Sequence, residues 1–231
     1  MPEVGRFSGV DPVASKFPHV SVYNYAENSP IGNLDLWGLQ AENFMSKFKQ
    51  PGNLKTKVPD MKKAQIQVFS ATVNDPKVSF KDVKAMFLKS PQDVLSNSKA
   101  TFNAPVDGSG KPADFEKGSF IKIDIKGPFN NAYVKIHRIE ETENSVKATF
   151  VTMEGHMEKG VISFEMKTEG ENGYSFTISG ASEVDMGMAP ENFSRSQQKE
   201  SWNEVMDNFV KTSGGKEDKS KRINASVDPN Q

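Results

Sequence analysis

An α+β fold, in which an antiparallel sheet curves around a long C-terminal helix, is predicted by three observations. Residues 194–213 place Trp202, Val205, Met206, Phe209 and Val210 at the i, i+3, i+4, i+7, i+8 spacing of one helix face. Five runs of alternating apolar and polar residues follow one another between positions 119 and 179, joined by segments too short for helical crossovers, so neighbouring strands pair antiparallel. One strand and two short helices precede those runs.

The C-terminal helix presents a single stripe, with Gln198, Lys199, Asn203, Asp207, Asn208 and Lys211 read as its outer face. No short helix is stable alone. Burying the stripe against a sheet contributes ~1.5–3 kcal/mol per large side chain by transfer alone, an upper bound. Within 119–179 the strands read 119–126, 132–139, 146–153, 161–166 and 174–179, with Asn144, Gly155 to Gly160 and Gly170 to Gly173 at the turns. Ahead of them, Ala64, Ile66 and Val68 alternate with Gln65, Gln67 and Phe69 as a strand. Ser79 with Asp82 three residues on is a loose capping box for a helix that buries Phe80, Val83 and Phe87 and ends near Lys89. Ser90 and Pro91 open a second helix with Val94 and Leu95 inside, since proline at the first helical position costs no hydrogen bond.

Composition limits the function classes. The 231 residues suffice for one average domain and a smaller appendage, with no need of a metal or disulfide. Cysteine is absent, which removes a thiol nucleophile. No apolar run reaches the ~18 to 20 residues of a membrane span, and the N-terminus lacks a signal pattern. Lys+Arg 29 against Asp+Glu 30 gives a formal charge of -1, so no global field collects nucleic acid. Charge is uneven: residues 41–63 hold six Lys against Glu42 and Asp60, whereas 140–171 holds eight Glu against Lys147, Lys159 and Lys167. A solvated linker and a solvated sheet face explain both.

The first residues carry a motif series: Gly5-Arg6-Phe7, Asp11-Pro12, Tyr23-Asn24-Tyr25 and Asn28-Ser29-Pro30, closed by Asp35 and Gly38-Leu39. This series resembles the end of the RHS repeat-associated core. The resemblance implies a β-rich core remnant over 1–39, a parent shell of YD repeats as partner, and a variable C-terminal module, frequently a toxin, exported or displayed at the cell surface. An immunity protein is a further implied partner. Asp35, Gly38 and Leu39 correspond to the family's junction, but Leu36 stands where the family has proline, which leaves self-cleavage open.

Residues 40–62 read as a linker with a small helix around Phe44, Met45 and Phe48, interrupted by Pro51-Gly52 and Pro59. The tip domain then spans 63–213, and the Gly- and charge-rich 214–231 is expected to fray. Gly127-Pro128, the stretch Thr152 to Gly160, Phe164 and the Trp202 helix are similar to START-related helix-grip domains. That resemblance implies a small apolar ligand held between sheet and helix. Phe80, Phe87, Met153, Phe164, Met166 and Met206 are the candidate lining.

Catalytic candidates centre on Glu154, His156 and Glu158, framed by Gly155 and Gly160. Two carboxylates and an imidazole on one turn can pair a base with its orienting acid or contribute to a metal site. A hairpin turn whose polar residues face water gives the same pattern. No second cluster supplies further ligands, so no metal and no cofactor is expected. His19 and His137 read as structural or exposed. Gly108-Ser109-Gly110-Lys111 lacks the spacing and the following Ser or Thr of a phosphate loop. The functional readings are therefore a tip domain that binds a small apolar molecule, an enzymatic toxin using the 154–158 turn, and a structural or adhesive tip.

Overall fold

A computed structural model describes residues 34–35, 41–42, 50–126, 132–184 and 191–227. Two compact units are separated at Leu54/Lys55. In the first, β1 (Leu34–Asp35) pairs antiparallel with β2 (Ala41–Glu42), and Pro51–Asn53 forms a 3-10 turn. Asp35 lies in β1, opposite Ala41. The rest of the RHS-like series, including Gly38 and Leu39, and the expected helix at 44–48 lie outside the described residues.

The second unit is α+β: nine strands form one curved antiparallel sheet against a long C-terminal helix. In chain order they are β3 (Gln65–Asn74), α1 (Phe80–Lys89), α2 (Pro91–Leu95), β4 (Ala100–Phe102), β5 (Phe120–Ile125), β6 (Ala132–Thr142), β7 (Ser145–Thr152), β8 (Glu158–Thr168), β9 (Gly173–Val184), α3 (Glu191–Ser213), β10 (Lys216–Glu217) and β11 (Ile223–Val227). From β9 back to β4 each strand pairs antiparallel with its predecessor, through short turns between β6, β7, β8 and β9 and a longer loop between β4 and β5. β3 closes onto β9 on the other side, and β10 and β11 both pair with the outer edge of β3.

Local chemistry explains the helices. Asp82 N–H donates to Ser79 Oγ at the start of α1, whose Val83 and Phe87 are buried. Pro91 opens α2 and Leu95 is buried. Val205, Met206 and Phe209 of α3 are buried, and Trp202 and Val210 pack partly buried against the same core. Period two selects the inward residues of the strands: Phe164 and Met166 on β8, Tyr174, Phe176 and Ile178 on β9, Val146, Ala148 and Phe150 on β7. Aromatic rings run through this core, with Phe176 5.1 Å from Phe209 and 6.4 Å from both Phe87 and Phe164.

Three expectations are corrected. On β3, Ile66 is 49% exposed while Gln65 and Gln67 are buried. Phe69, Ala71 and Val73 are the stronger inward set, and alternation from them carries Gln67 and Gln65 inside and Ile66 out. The described part of the tail, through Val227, is ordered instead of frayed: Ile223 to Val227 pairs residue by residue with Ser70 to Ile66, and Arg222 bridges Glu217 and Asp207 at 2.8 and 2.9 Å. The five-residue ladder satisfies the backbone along the β3 edge, so the scarcity of large apolar residues does not decide order there. The last residues of the expected linker are also tied down, since Lys57 N–H donates to Thr152 O at 2.7 Å and Glu154 N–H to Lys55 O at 2.7 Å.

Candidate functional site

The space between sheet and α3 is filled at one end and open at the other. The open part is an apolar cavity of about 120 Å³ under the N-terminal half of α3. Its walls include Phe69, Phe102, Phe150, Phe164, Ile178 and Trp202. Trp202 stands between Phe164 of β8, 5.7 Å away, and Phe102 of β4, 6.5 Å away. Small inward residues leave the room: Gly160 on β8, Gly180 on β9, Ala100 on β4 and Ser201 on α3 all line it. Gly180 is required for a second reason. A Cβ there would stand 2.7 Å from Val161 O, so only glycine permits β8 and β9 to approach so closely.

One wall of the cavity is polar. Gln67 Nε2 donates to Gln65 Oε1 and to Gln198 Oε1, the latter at 2.6 Å, and Gln198 Nε2 donates to Glu158 Oε2 at 2.7 Å. Glu158, whose side chain is 6% exposed, lies 3.9 Å from Arg195, and Arg195 donates to Ser182 Oγ and Ser182 O at 2.8 and 3.0 Å. This chain of donors and acceptors neutralises a buried carboxylate that would otherwise cost several kcal/mol. Arg195 Nε is buried with no partner among the described residues.

The β7–β8 turn supplies the next polar group. Gly155 takes a left-handed conformation, φ 91°, and turns the chain so that Glu158 N–H donates to His156 Nδ1 at 3.0 Å. Burial, followed by the charge of Lys57, holds the imidazole below its ordinary 6.5, at about 4. Lys57 Nζ itself donates to His156 O at 2.9 Å. Beside the cavity, the α2–β4 loop is tied to α3: Ser98 N–H donates to Glu204 Oε1 at 2.8 Å, Ser98 Oγ to Glu204 Oε2, and Lys99 pairs with Glu200 at 2.9 Å. Lys99 lines the cavity as well.

The catalytic candidates diverge. His156 and Glu158 line the cavity, but Glu154 is exposed and among the described residues its carboxylate meets only Lys55 N–H, at 3.5 Å. The imidazole Nδ1 is engaged by a backbone N–H, and among the described residues no hydrogen bond joins the ring to the Glu154 or Glu158 carboxylate. Among the described residues no group of three or more His, Asp and Glu is placed to hold a metal ion. His137 is exposed at the bulge between Ile136 and Arg138.

Of the candidate lining residues, Phe164 borders the cavity. Phe80 packs on Tyr174, Phe87 on Phe115 and Phe176, and Met166 and Met206 are fully buried in the filled end. Met153 is buried where Thr56 bridges it. The polar wall is absent from the sequence reading, which assigns Gln198 to the outer face of α3. The signal is present: Gln198 stands four residues before Trp202 and shares its face. A wider, more open and more polar depression of about 680 Å³ lies at the opposite end of β8 and β9, where Phe80 and Tyr174 line it together with Asp75, Asn144, Glu171 and turn residues. No helix among the described residues is long and apolar enough to cross a membrane.

No family model matches the chain, and no curated protein matches it. Among solved structures the chain is similar to major latex-like protein 151 of Panax ginseng, at 15% identity and TM-score 0.44, over 64% of this chain and 97% of that one. It is similar to a START superfamily protein from Mycobacterium smegmatis at 10% identity and TM-score 0.44, again over 64% and 97%. A Bacillus halodurans protein solved in solution matches at 16% identity and TM-score 0.42, over 69% of this chain and 99% of that one.

Proposed function

We propose that the second unit binds a small, largely apolar molecule in the cavity between its sheet and α3. The observation that carries this reading is an aromatic-walled space of about 120 Å³ preserved by Gly160, Gly180 and Ser201, where larger side chains would fill it. An apolar cavity of ~150 Å³ in another protein stays dry and takes up a benzene-sized molecule, which sets the scale of the occupant. Binding rather than catalysis is favoured because no carboxylate bonds to the His156 ring among the described residues. Within the same reading, the motif series of residues 1–39 supports a tip module of an RHS-type protein, exported or shown at the cell surface, with the RHS shell and an immunity protein as partners. Neighbouring genes encoding YD repeats and a small downstream frame would test that context.

The ligand reading is tested with an environment-sensitive apolar dye added to the folded chain. One-to-one binding, with a melting temperature that rises with dye concentration, is expected. Dye signal only on unfolding would overturn it.

A further inference from the structure

An apolar chamber needs no buried carboxylate and no histidine, yet Glu158 and His156 both line this one. His156 Nδ1 accepts Glu158 N–H at 3.0 Å, and a ring nitrogen that accepts is unprotonated, so the neutral imidazole carries its proton on Nε2. The imidazole titrates at about 4, which keeps it a neutral donor at pH 7. Nε2 has no partner among the described residues. Two residues on, the Glu158 carboxylate is an acceptor held in place by Gln198 and Arg195.

We propose that the occupant is a single-ring, neutral hydroxyl compound of the phenol type, whose O–H donates to Glu158 and whose oxygen accepts from His156 Nε2–H. This rests on the ligand-binding reading and specifies it. A hydroxyl is the smallest group that donates and accepts through one atom, and the rest of the wall is apolar. A carboxylate ligand would meet the charge of Glu158. An ammonium would add a positive charge where Arg195 and Lys57 already stand, and a neutral aromatic amine is both a weaker donor and a poorer acceptor than a phenol. A plain hydrocarbon would fill the space but offer nothing to the His156 Nε2–H, and a site that bonds a hydroxyl discriminates against the analogue that lacks it.

The test is calorimetric titration of the full chain at pH 7 with benzene, phenol, aniline and benzoate. Phenol is expected to bind roughly 10- to 100-fold tighter than benzene, from two hydrogen bonds. Aniline and benzoate are expected to fall below phenol. His156→Phe keeps the apolar volume and should cut the phenol advantage severalfold while benzene binding persists. Glu158→Gln should do the same, and circular dichroism checks that each variant is folded. Should Glu158→Gln unfold, His156→Phe alone decides. Equal binding of phenol and benzene, or tighter binding of benzoate, overturns the hydroxyl assignment and leaves apolar binding standing. Failure of all four ligands and of the larger apolar dye overturns both.

Discussion

The filled and open ends of the space beneath α3 are built from the same strands and the same helix. Toward the filled end β8 presents Met166, β9 presents Tyr174 and Phe176, and α3 presents Met206 and Phe209, all buried. Toward the open end the same three elements present Gly160, then Gly180 and Ser182, then Gln198 and Ser201. Sheet curvature therefore provides the room along the whole length, and side-chain size decides where it is kept. The open end also carries the buried ionic groups, so its stability depends on hydrogen bonding while that of the filled end depends on packing.

The largest effect is expected from Phe176→Ala. Phe176 is fully buried against Phe87, Phe164 and Phe209, and its loss should cost about 3–5 kcal/mol, read from the midpoint of denaturant unfolding. A cost below about 1 kcal/mol would mean that the filled end is not close-packed.

Acid should act next, through His156 at the open end. His156 titrates at about 4 in the folded protein and near 6.5 when unfolded, with Lys57 and Glu158 as its charged neighbours. A depressed folded value stabilises above 6.5, and that stability is lost as pH falls, completely so below about 4. The linkage amounts to roughly 3 kcal/mol. His156→Gln should flatten this part of the stability profile between pH 7 and 4. A profile with unchanged slope would show that the imidazole is not held neutral by its surroundings.

The third experiment sets the two ends against each other. Met206→Trp forces extra volume into the filled end and should cost about 1–3 kcal/mol. Ser201→Val adds volume at the open end and should change stability by less than about 1 kcal/mol while weakening dye binding. Equal costs would remove the distinction between the two ends.

Much of the architecture is legible because periodicity acts locally. The stripe on α3, the caps of α1 and α2, and the β5 to β9 meander all follow from residues a few positions apart. The site is less legible. A one-residue choice of face on β3 decides between Ile66 and Gln67, and it is settled by Phe69, Ala71 and Val73 farther along the strand. Methionine and phenylalanine content singles out apolar candidates, but Met166, Met206, Phe80 and Phe87 fill space instead of bordering it. What borders it is marked by small residues and glutamines, whose meaning appears only when distant strands are brought side by side. β4, β10 and β11 are too short or too polar to signal themselves, and their partners are long-range.

The return of β11 to β3 has a consequence for how the molecule is made. β3 leaves the ribosome before every other strand of the sheet, yet its outer neighbour is the last strand of the described chain. At roughly 5–20 residues per second, on the order of ten seconds separate the two. Throughout that interval the Ile66 to Ser70 edge has open backbone groups, in a strand with little charge to discourage pairing with another nascent chain. Release of the C-terminal segment, and not completion of α3, is therefore the event that ends the vulnerable phase of synthesis. Stopping the chain at Ser213 would make that phase permanent.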